Sequence, residues 1–369
     1  MANADPSHRD HMVRAIELAR QAVGSVSPNP PAGAVIVSGG RVVGEGFTRP
    51  PGQEHAEIVA LQQAGEAARG AEVYVTLEPC AHYGRTSPCT DALIAAGISH
   101  VHIAALDPAH HTDDRGVAAL EGAGISVTIR DPSPEARELI ESFTKHVTAG
   151  IPFVVAKFAL SLDGKIATAS GSSRWISNEA SRRRVHRLRA EHDAIMVGIG
   201  TALTDDPQLT VRDAPATRDR QPTRVVIDTT ARLAPSAAML QEDGTTLVAV
   251  ADAPYARRRA LETAGAELLS APGDGARVDL AEVLRQLGER DITSVLVEGG
   301  ATLLGALFDA RLVDKVVAFV APVIIGGDGA PSPVGGSGAG DMAQAIRLTA
   351  PRHEEIEGDV MITGYPAYA

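Results

Sequence analysis

In the first 130 or so residues, segments with apolar positions at helical spacing alternate with short uninterrupted apolar runs. Between His11 and Val23 apolar positions recur at helical spacing, which predicts an amphipathic helix. Short uninterrupted apolar runs predict buried strands, and the stretches between them predict further helices. The predicted strands cover residues 34–37, 73–77, 101–105 and 125–129, with another beginning at Arg41, and the predicted helices cover 57–63 and 90–96. Strands that alternate with helices are typical of an α/β domain.

A second domain is predicted after a connecting segment. Residues 131–150 begin with Asp-Pro-Ser-Pro and continue as a helix, and a new strand over 153–159 follows Pro152. A chain of 369 residues is long enough for two domains of ordinary size. We therefore predict one domain at residues 1–147 and a second at 148–369.

Composition narrows the class of protein. Apolar residues make up 44% of the chain, which supports buried cores. The net charge of −12 argues against nucleic acid as the main partner, because phosphate binding needs a basic face. No apolar run reaches the roughly 18 residues of a membrane-spanning helix, and the N-terminal residues do not resemble a secretory signal. These patterns predict a cytoplasmic protein with no nucleic-acid or membrane partner.

Both cysteines of the chain fall in one motif. Cys80 and Cys89 follow Glu-His-Ala-Glu, which contains His55 and Glu57. One imidazole and two thiolates form a three-ligand zinc set, and the open fourth position is typical of a catalytic zinc. A pair of buried thiols or a disulfide is the alternative, but thiols in a cytosolic enzyme are more often metal-binding or catalytic.

The glutamate completes a known chemical signature. Glu57 lies two residues after the histidine, where it can move a proton between water and a leaving amine rather than bind the metal. A His-x-Glu motif followed by Pro-Cys is the signature of zinc-dependent nucleobase deaminases. We expect His55 and Glu57 at the start of a helix, Cys80 at the end of a strand and Cys89 at the start of the next helix.

The spacing of the cysteines points to one family. Eight residues separate them, where simple cytidine and tRNA-adenosine deaminases have two. The loop Cys-Ala-His-Tyr-Gly-Arg-Thr-Ser-Pro-Cys and the stretch Ser-Pro-Asn-Pro-Pro-Ala-Gly-Ala-Val-Ile-Val over 27–37 resemble the deaminase half of the bifunctional riboflavin-biosynthesis deaminase/reductases. This resemblance implies a cytidine-deaminase-like, three-layer α/β/α N-terminal domain.

The second half of the chain resembles the reductase half of the same family. Lys-x-x-x-Ser-Leu-Asp-Gly begins at Lys157, Asp-Asp-Pro-x-Leu-Thr-x-Arg covers 205–212, and Glu-Gly-Gly covers 298–300. The resemblance implies a dihydrofolate-reductase-like α/β domain that uses NADPH. The Glu-Gly-Gly turn alone is a weak signal, because strand-to-helix turns are often glycine-rich merely for close packing.

The resemblance implies roles for individual residues. In the deaminase half it implies His55, Cys80 and Cys89 as zinc ligands, Glu57 as the proton shuttle, and substrate contacts at Asn29, His82 and Arg85. In the reductase half it implies NADPH contacts at Ala159, Trp175, Thr201, Asp205, Thr229, Gly299 and Gly300. The implied substrate contacts of that half are Lys157, Ser173, Arg189, Leu209, Arg212 and Glu298.

Simpler interpretations apply to several of these residues and their neighbours. A lone tryptophan such as Trp175 more often packs in a core than contacts a cofactor. Lys157 lies in an apolar strand, where a buried ammonium needs a partner. The histidines outside the motif, His8, His110, His111 and His192, are expected at the surface. Of these, His110 and His111 could instead line the deaminase pocket. Ala32 and Thr48 depart from the family pattern, and Thr48 could still hydrogen-bond a phosphate or ribose without carrying charge.

The function implied is a two-step conversion with one zinc ion per chain and NADPH. A diaminopyrimidinone ribosylamine 5′-phosphate is deaminated hydrolytically, and the ribose of the product is then reduced at C1′ to a ribityl chain. The family resemblance also implies a homo-oligomer, either a dimer or a tetramer. The acidic charge and the cysteine spacing argue against a tRNA-type deaminase with an accessory binding domain. The complete zinc set and Glu57 argue against a non-catalytic sensor of NADPH or a pyrimidine.

Overall fold

The chain divides into two compact units, Met1–Gly150 and Ile151–Ala369. This computed structural model describes residues 6–83, 87–109, 115–129, 132–212 and 221–368. The division follows a helix that ends at Ala149, so the boundary predicted after residue 147 falls within the last turn of that helix. In the described residues, no helix combines the length and the apolar character needed to cross a bilayer.

The elements of the first unit alternate as the sequence pattern predicts. Their bounds are α1 (Pro6–Arg20), β1 (Gly33–Ser38), β2 (Arg41–Phe47), α2 (Ala56–Ala64), β3 (Glu72–Val75), α3 (Cys89–Ala96), β4 (His100–Ile103), α4 (Arg115–Gly122), β5 (Ser126–Ile129) and α5 (Pro134–Ala149). Helix α1 ends earlier than the predicted 11–23, because Gln21 and Ala22 donate to carbonyls only three residues back and turn the chain.

The described strands of this unit form one sheet in the order β2-β1-β3-β4-β5. Strand β1 is antiparallel to β2 and β3, whereas β3, β4 and β5 are parallel. Alternate residues point to opposite faces of a sheet. Val73, Val75, Val101 and Ile103 therefore enter the core that lies under α2, α3 and α4, and Tyr74 packs on the other face with residues of α1.

Two glycines of β2 bring helix α2 unusually close to the sheet. A Cβ at Gly44 would lie 2.2 Å from the carbonyl oxygen of Ala60, and one at Gly46 would lie 2.2 Å from that of Ala56. Any side chain larger than hydrogen would push the helix outward. The position of α2 is thus fixed by backbone contact with β2.

The second unit is also α/β. Its bounds are β6 (Phe153–Ser161), α6 (Glu179–Glu191), β7 (Ala194–Gly198), α7 (Ile199–Asp205), β8 (Thr223–Ile227), β9 (Thr246–Val250), α8 (Tyr255–Thr263), β10 (Glu267–Ser270), α9 (Leu280–Gly288), β11 (Ser294–Val297), α10 (Ala301–Asp309), β12 (Lys315–Ala321), β13 (Arg347–Ile356) and β14 (Asp359–Ala367).

Its described strands form a mixed sheet in the order β10-β9-β8-β7-β11-β6-β12-β14-β13. The strands are parallel from β10 to β12, and the hairpin β13–β14 is antiparallel at the edge. Helices α9 and α10 cover one face, and α6, α7 and α8 supply buried residues to the other. The central parallel strands β7, β11 and β6 end at the same edge, which is where open α/β sheets bind ligands.

Candidate active sites

Three metal-type donors converge in the first unit. The Nδ1 atom of His55 lies 3.5 Å from Cys80 Sγ and 3.4 Å from Cys89 Sγ. All three ligand atoms lie within 4.8 Å of one another, and neither cysteine forms a disulfide. The disulfide alternative raised by the sequence is therefore wrong.

His55 and Cys89 lie at helix starts, as the sequence predicts. Cys80 was expected at the end of a strand, but β3 ends at Val75 and Cys80 lies in the loop that follows. His55 precedes α2 in an extended conformation, and its side chain does not cap the helix. Cys89 is the first residue of α3, and its N–H donates to Cys80 Sγ over 3.3 Å. Thr90 also donates to the Cys80 carbonyl, through its N–H at 3.2 Å and its hydroxyl at 3.3 Å. These bonds hold together the two ends of the long loop between the cysteines.

The donor set fits a zinc ion. With Zn–S near 2.3 Å and Zn–N near 2.0 Å, tetrahedral geometry places sulfur and nitrogen about 3.5 Å apart. Hydrogen bonding with the Cys89 thiol, and then with His55, lowers the pKa of Cys80 to about 4 despite burial, which favours the thiolate that a metal binds. Three protein donors leave a fourth position for water.

Glu57 lies beside this set and is almost fully buried. Burial raises the pKa of its carboxyl to about 7, and the nearby Cys80 adds to the rise. A carboxyl with a pKa near neutrality can both accept and return a proton. Glu57 lies in the first turn of α2, at the helix start that the sequence predicts for it.

Two of the other predicted deaminase contacts, Asn29 and His82, lie in loops around the sheet. Asn29 is half-buried in the turn before β1, and its N–H donates to Val26 O at 2.8 Å. His82 is half-buried two residues after Cys80. Arg85 lies outside the described residues, and so do His110 and His111.

The two departures from the family pattern are hydrogen-bonded to each other. The N–H of Ala32 donates to Thr48 Oγ1 at 3.2 Å, and the N–H of Thr48 donates to the Ala32 carbonyl at 3.0 Å. Thr48 is only 3% exposed. Its hydroxyl is therefore part of the wall that joins β1 to the end of β2, and the expectation that it reaches a phosphate or ribose is not supported by this burial.

In the second unit, one carboxylate joins two cations. Glu298 follows β11 and accepts from Arg189 Nε at 2.6 Å and from Arg189 Nη2 at 3.0 Å. The ammonium of Lys157, on β6, lies 3.9 Å from Glu298 Oε2. Arg189 Nη1 also donates to the carbonyl of Thr210, which follows Leu209. Lys157 thus has the partner that a buried lysine requires.

The three side chains of this cluster stabilise one another in their charged forms. Burial alone would raise the pKa of Glu298, but Arg189 and Lys157 outweigh it and hold the pKa at about 2. Burial lowers the pKa of Lys157, and the attraction of Glu298 opposes that change. The cluster contains three of the six predicted substrate contacts of this half and lies next to a fourth, Leu209.

The Gly299–Gly300 turn leads directly into α10. Gly300 is the N-cap of α10 and offers no side-chain cap, so the first N–H groups of the helix can bind an anion. A Cβ on Gly300 would lie 3.4 Å from Thr201 Oγ1, which places Thr201 of α7 beside the turn. A Cβ on Gly299 would lie 2.8 Å from the end of the Leu303 side chain, so close packing also favours a glycine there.

The remaining predicted residues lie near the carboxyl ends of the strands or in the loops beyond. Trp175 is 70% exposed, so the core-packing interpretation is wrong, and the guanidinium of Arg182 lies 4.6 Å from its ring centroid. Arg174 Nη2 donates to the carbonyl of Asp205 at 3.1 Å and brings the two loops together. Ala159 is half-buried on β6, Ser173 precedes Arg174, and Thr229 follows β8. Leu209 is buried. The Nη1 atom of Arg212 donates to Gln208 Oε1 at 2.8 Å.

Comparison with known proteins identifies the family. The model for the cytidine and deoxycytidylate deaminase zinc-binding region matches residues 5–105, and the model for the RibD C-terminal domain matches 152–362. The riboflavin biosynthesis protein RibD of Escherichia coli is 42% identical over 328 residues, which cover 86% of this chain and 88% of that protein. The chain belongs to the RibD family.

Structural similarity extends over the whole chain. A structure of Acinetobacter baumannii RibD superposes with a TM-score of 0.88 at 38% identity and covers 98% of this chain and 99% of its own. The deaminase/reductase of Thermotoga maritima superposes with a TM-score of 0.84 at 35% identity and covers 98% of this chain and 99% of its own. As a RibD family member, the chain is a bifunctional deaminase and reductase of riboflavin biosynthesis, with a zinc-binding deaminase unit and an NADPH-type reductase unit.

Sequence reasoning missed two carboxylates that shape these RibD sites. Glu78 is 3% exposed and accepts from Asp107 N at 3.2 Å and Val117 N at 3.1 Å, which anchors the chain just before Cys80. Asp163 accepts from Ser161 Oγ at 2.6 Å and from Gly326 N at 2.6 Å, which joins the turn after β6 to the loop after β12. Glu78 could have been found from the sequence, because it is a carboxylate that directly follows an apolar strand run.

Proposed function

We propose that this enzyme first deaminates a diaminopyrimidinone ribosylamine 5′-phosphate and then reduces the ribose of the product with NADPH. The observation that carries the proposal is the convergence of His55, Cys80 and Cys89 beside a buried carboxyl in the unit that precedes a reductase unit. The Thermotoga maritima relative carries both of the corresponding activities in its name.

In the deaminase unit, His55, Cys80 and Cys89 would hold the zinc, which lowers the pKa of a bound water so that a nucleophile is available at neutral pH. Glu57, with its pKa near 7, takes up the water proton and returns it to the departing amine. Asn29 and His82 are proposed to hold the pyrimidine, and Arg85 the phosphate. The net reaction consumes water and releases ammonia.

In the reductase unit, bound NADPH supplies the hydride that C1′ of the ribose accepts. Its proposed contacts are Ala159, Trp175, Thr201, Asp205, Thr229, Gly299 and Gly300. The proposed substrate contacts are Lys157, Ser173, Arg189, Leu209, Arg212 and Glu298. Lys157 and Arg189 give this end of the sheet a positive charge that Glu298 offsets only in part, which suits a phosphorylated substrate.

The proposed partners are small molecules. The net charge of −12 disfavours nucleic acid as substrate. We further propose a homo-oligomer, a dimer or tetramer, as the family resemblance implies. Thiolate ligands that remain reduced suit the cytoplasm, where disulfides are rare.

The proposal is tested by following the two half-reactions separately. Purified enzyme is mixed with the diamino substrate, ammonia release is measured without NADPH, and NADPH oxidation is then started by adding the cofactor. We expect ammonia release to be independent of NADPH, and NADPH oxidation to require prior deamination. Oxidation of NADPH by the diamino compound in a Glu57→Gln enzyme that releases no ammonia would overturn the proposed order.

A further inference from the structure

A second group of metal-type donors lies on the opposite face of the first sheet. Glu72 and Tyr74 alternate with core valines along β3, and His102 occupies the same face of the neighbouring strand β4. His8 reaches this face from the first turns of α1. The helices α2 and α3, which deliver the deaminase donors, cover the other face. The two groups are therefore separated by the sheet.

The donor atoms are close enough to share one ion. His102 Nε2 lies 2.9 Å from Glu72 Oε2, and His8 Nδ1 lies 3.9 Å from the same oxygen. All three atoms lie within 4.8 Å of one another. Two donors on one zinc ion at about 2.0 Å with tetrahedral geometry lie about 3.3 Å apart, and the two distances bracket that value. The longer one exceeds a hydrogen bond, so His8 and Glu72 are not bonded directly and are linked through the hydroxyl of Tyr74, which is hydrogen-bonded to both.

Surrounding groups hold the donors in place. The His102 ring is stacked between Tyr74, at 4.4 Å and 11°, and His100, at 4.1 Å and 12°. His100 Nε2 is hydrogen-bonded to Thr128 Oγ1 at 2.8 Å on β5. Tyr74 Oη donates a hydrogen bond to Glu72 Oε2 at 3.0 Å and is also hydrogen-bonded to His8 Nδ1. Outer contacts of this kind orient ligands in protein metal sites.

Burial and exposure also suit a metal. The His102 side chain is only 4% exposed, so its ring is held in a fixed position. The side chains of His8 and Glu72 are 29% and 40% exposed, so an ion can enter from solvent and keep a water ligand. Two imidazoles and a carboxylate are a donor set that zinc uses in proteins.

We propose that His8, Glu72 and His102 bind a second zinc ion, independent of the deaminase centre. The ion joins α1 to the middle of the sheet and stabilises the folded unit, with water in the fourth position. The inference does not depend on the substrate proposed above. The observed contacts of His8 with Tyr74 and Glu72 differ from the expectation that His8 is an ordinary surface residue.

The test measures zinc in full-length protein purified without chelator and dialysed against buffered micromolar zinc. We expect two zinc ions per chain in the wild type, one in His8→Gln and in Glu72→Gln, and one in Cys80→Ser. The double variant Cys80→Ser/His8→Gln should bind none. His353→Gln, a histidine of β13 outside both groups, is the control and should keep two. A wild type with one zinc per chain, all of it lost in Cys80→Ser, overturns the proposal.

A second measurement covers the case in which a variant folds poorly. In the Cys80→Ser background, zinc added after chelation should raise the melting temperature, because an ion that binds only the folded state stabilises it. The rise should disappear with His8→Gln, a change at a side chain that is 29% exposed. An equal rise in both proteins, or no rise in either, contradicts a zinc site at this cluster.

Discussion

The guanidinium of Arg189 is paired with both carboxylate oxygens of Glu298, through Nε at 2.6 Å and Nη2 at 3.0 Å. Paired geometry of this kind fixes the orientation of both side chains as well as their separation. Lys157 shares the same carboxylate from a neighbouring strand. One buried acid therefore positions two of the cations proposed to meet the substrate.

Glu298→Gln should destabilise the reductase unit strongly. The change leaves two buried cations without their carboxylate, and breaking a buried pair costs about 3–5 kcal/mol. We expect the free energy of unfolding, measured by urea denaturation, to fall by an amount of this order. Glu282→Gln removes the partner of Arg285 on an exposed helix face, so it should change the free energy of unfolding only slightly. Equal effects of the two variants would mean that the buried cluster contributes no more than a surface pair.

The same carboxylate gives a pH dependence with a definite sign. The pKa of Glu298 is about 2 in the folded unit against its ordinary 4.5. Because the folded value is the lower one, the stability that Glu298 confers is fully present above pH 4.5 and is lost as pH falls toward 2. The difference in unfolding free energy between wild type and Glu298→Gln should therefore shrink between these values. A difference that stays constant down to pH 3 would contradict the ion pairing.

Cys80→Ser should lose the deaminase zinc. A serine hydroxyl is a poor replacement for a thiolate whose pKa lies near 4. We expect zinc content to fall by one ion per chain and ammonia release to fall to background, while reduction of pre-deaminated substrate continues. Tyr83→Phe, in the same loop and 78% exposed, should retain both zinc and activity. Full zinc and full deamination in Cys80→Ser would rule out the assigned ligand set.

Glu57→Gln should keep zinc and lose deamination by at least ~10²-fold, the scale of general acid–base catalysis. The amide has nearly the shape of the acid but cannot carry the proton. Glu54→Gln, one residue before His55 and exposed, is the matched control and should be near normal. Near-normal ammonia release from Glu57→Gln would exclude the proton-shuttle role.

A fragment that contains residues 151–369 should fold and bind NADPH without zinc, because this unit has its own core and contains all the proposed cofactor contacts. NADPH at 100 times its Kd should add about 2.7 kcal/mol to the stability, seen as a higher melting temperature. NADH should give a smaller rise at the same concentration. No shift with NADPH would mean that the cofactor site needs the first unit as well.

Local sequence signals were enough for most of the deaminase centre. His55 and Glu57 are two residues apart at a helix start and Cys89 begins the next helix, so short-range patterns place these three, whereas Cys80 lies in the loop beyond β3. The apolar strand runs predicted the first sheet in the same way, since the pattern of burial follows directly from hydrophobicity.

Contacts between distant segments were not predictable in this way. His8, Glu72 and His102 are far apart in sequence and meet only because β3 and β4 are paired and α1 crosses them. The exposed setting of Trp175 also depends on loops whose paths no periodicity encodes. The hairpin of β13 and β14 was not predicted either, and most of β13 is exposed and lacks an apolar run.

Strand β2 contributes no donor to the deaminase centre, yet its two close-packed glycines determine where the centre lies. Helix α2 packs directly on the backbone of β2 at Gly44 and Gly46, where any side chain would push it outward. The positions of His55 and Glu57, at the start of this helix, therefore depend on both glycines. A mutagenesis library limited to pocket-lining residues would hold this helix fixed. Substitutions at the two glycines would instead move His55 and Glu57, the proposed zinc ligand and the proposed proton shuttle, together, so the site can be altered from positions that lie outside the pocket.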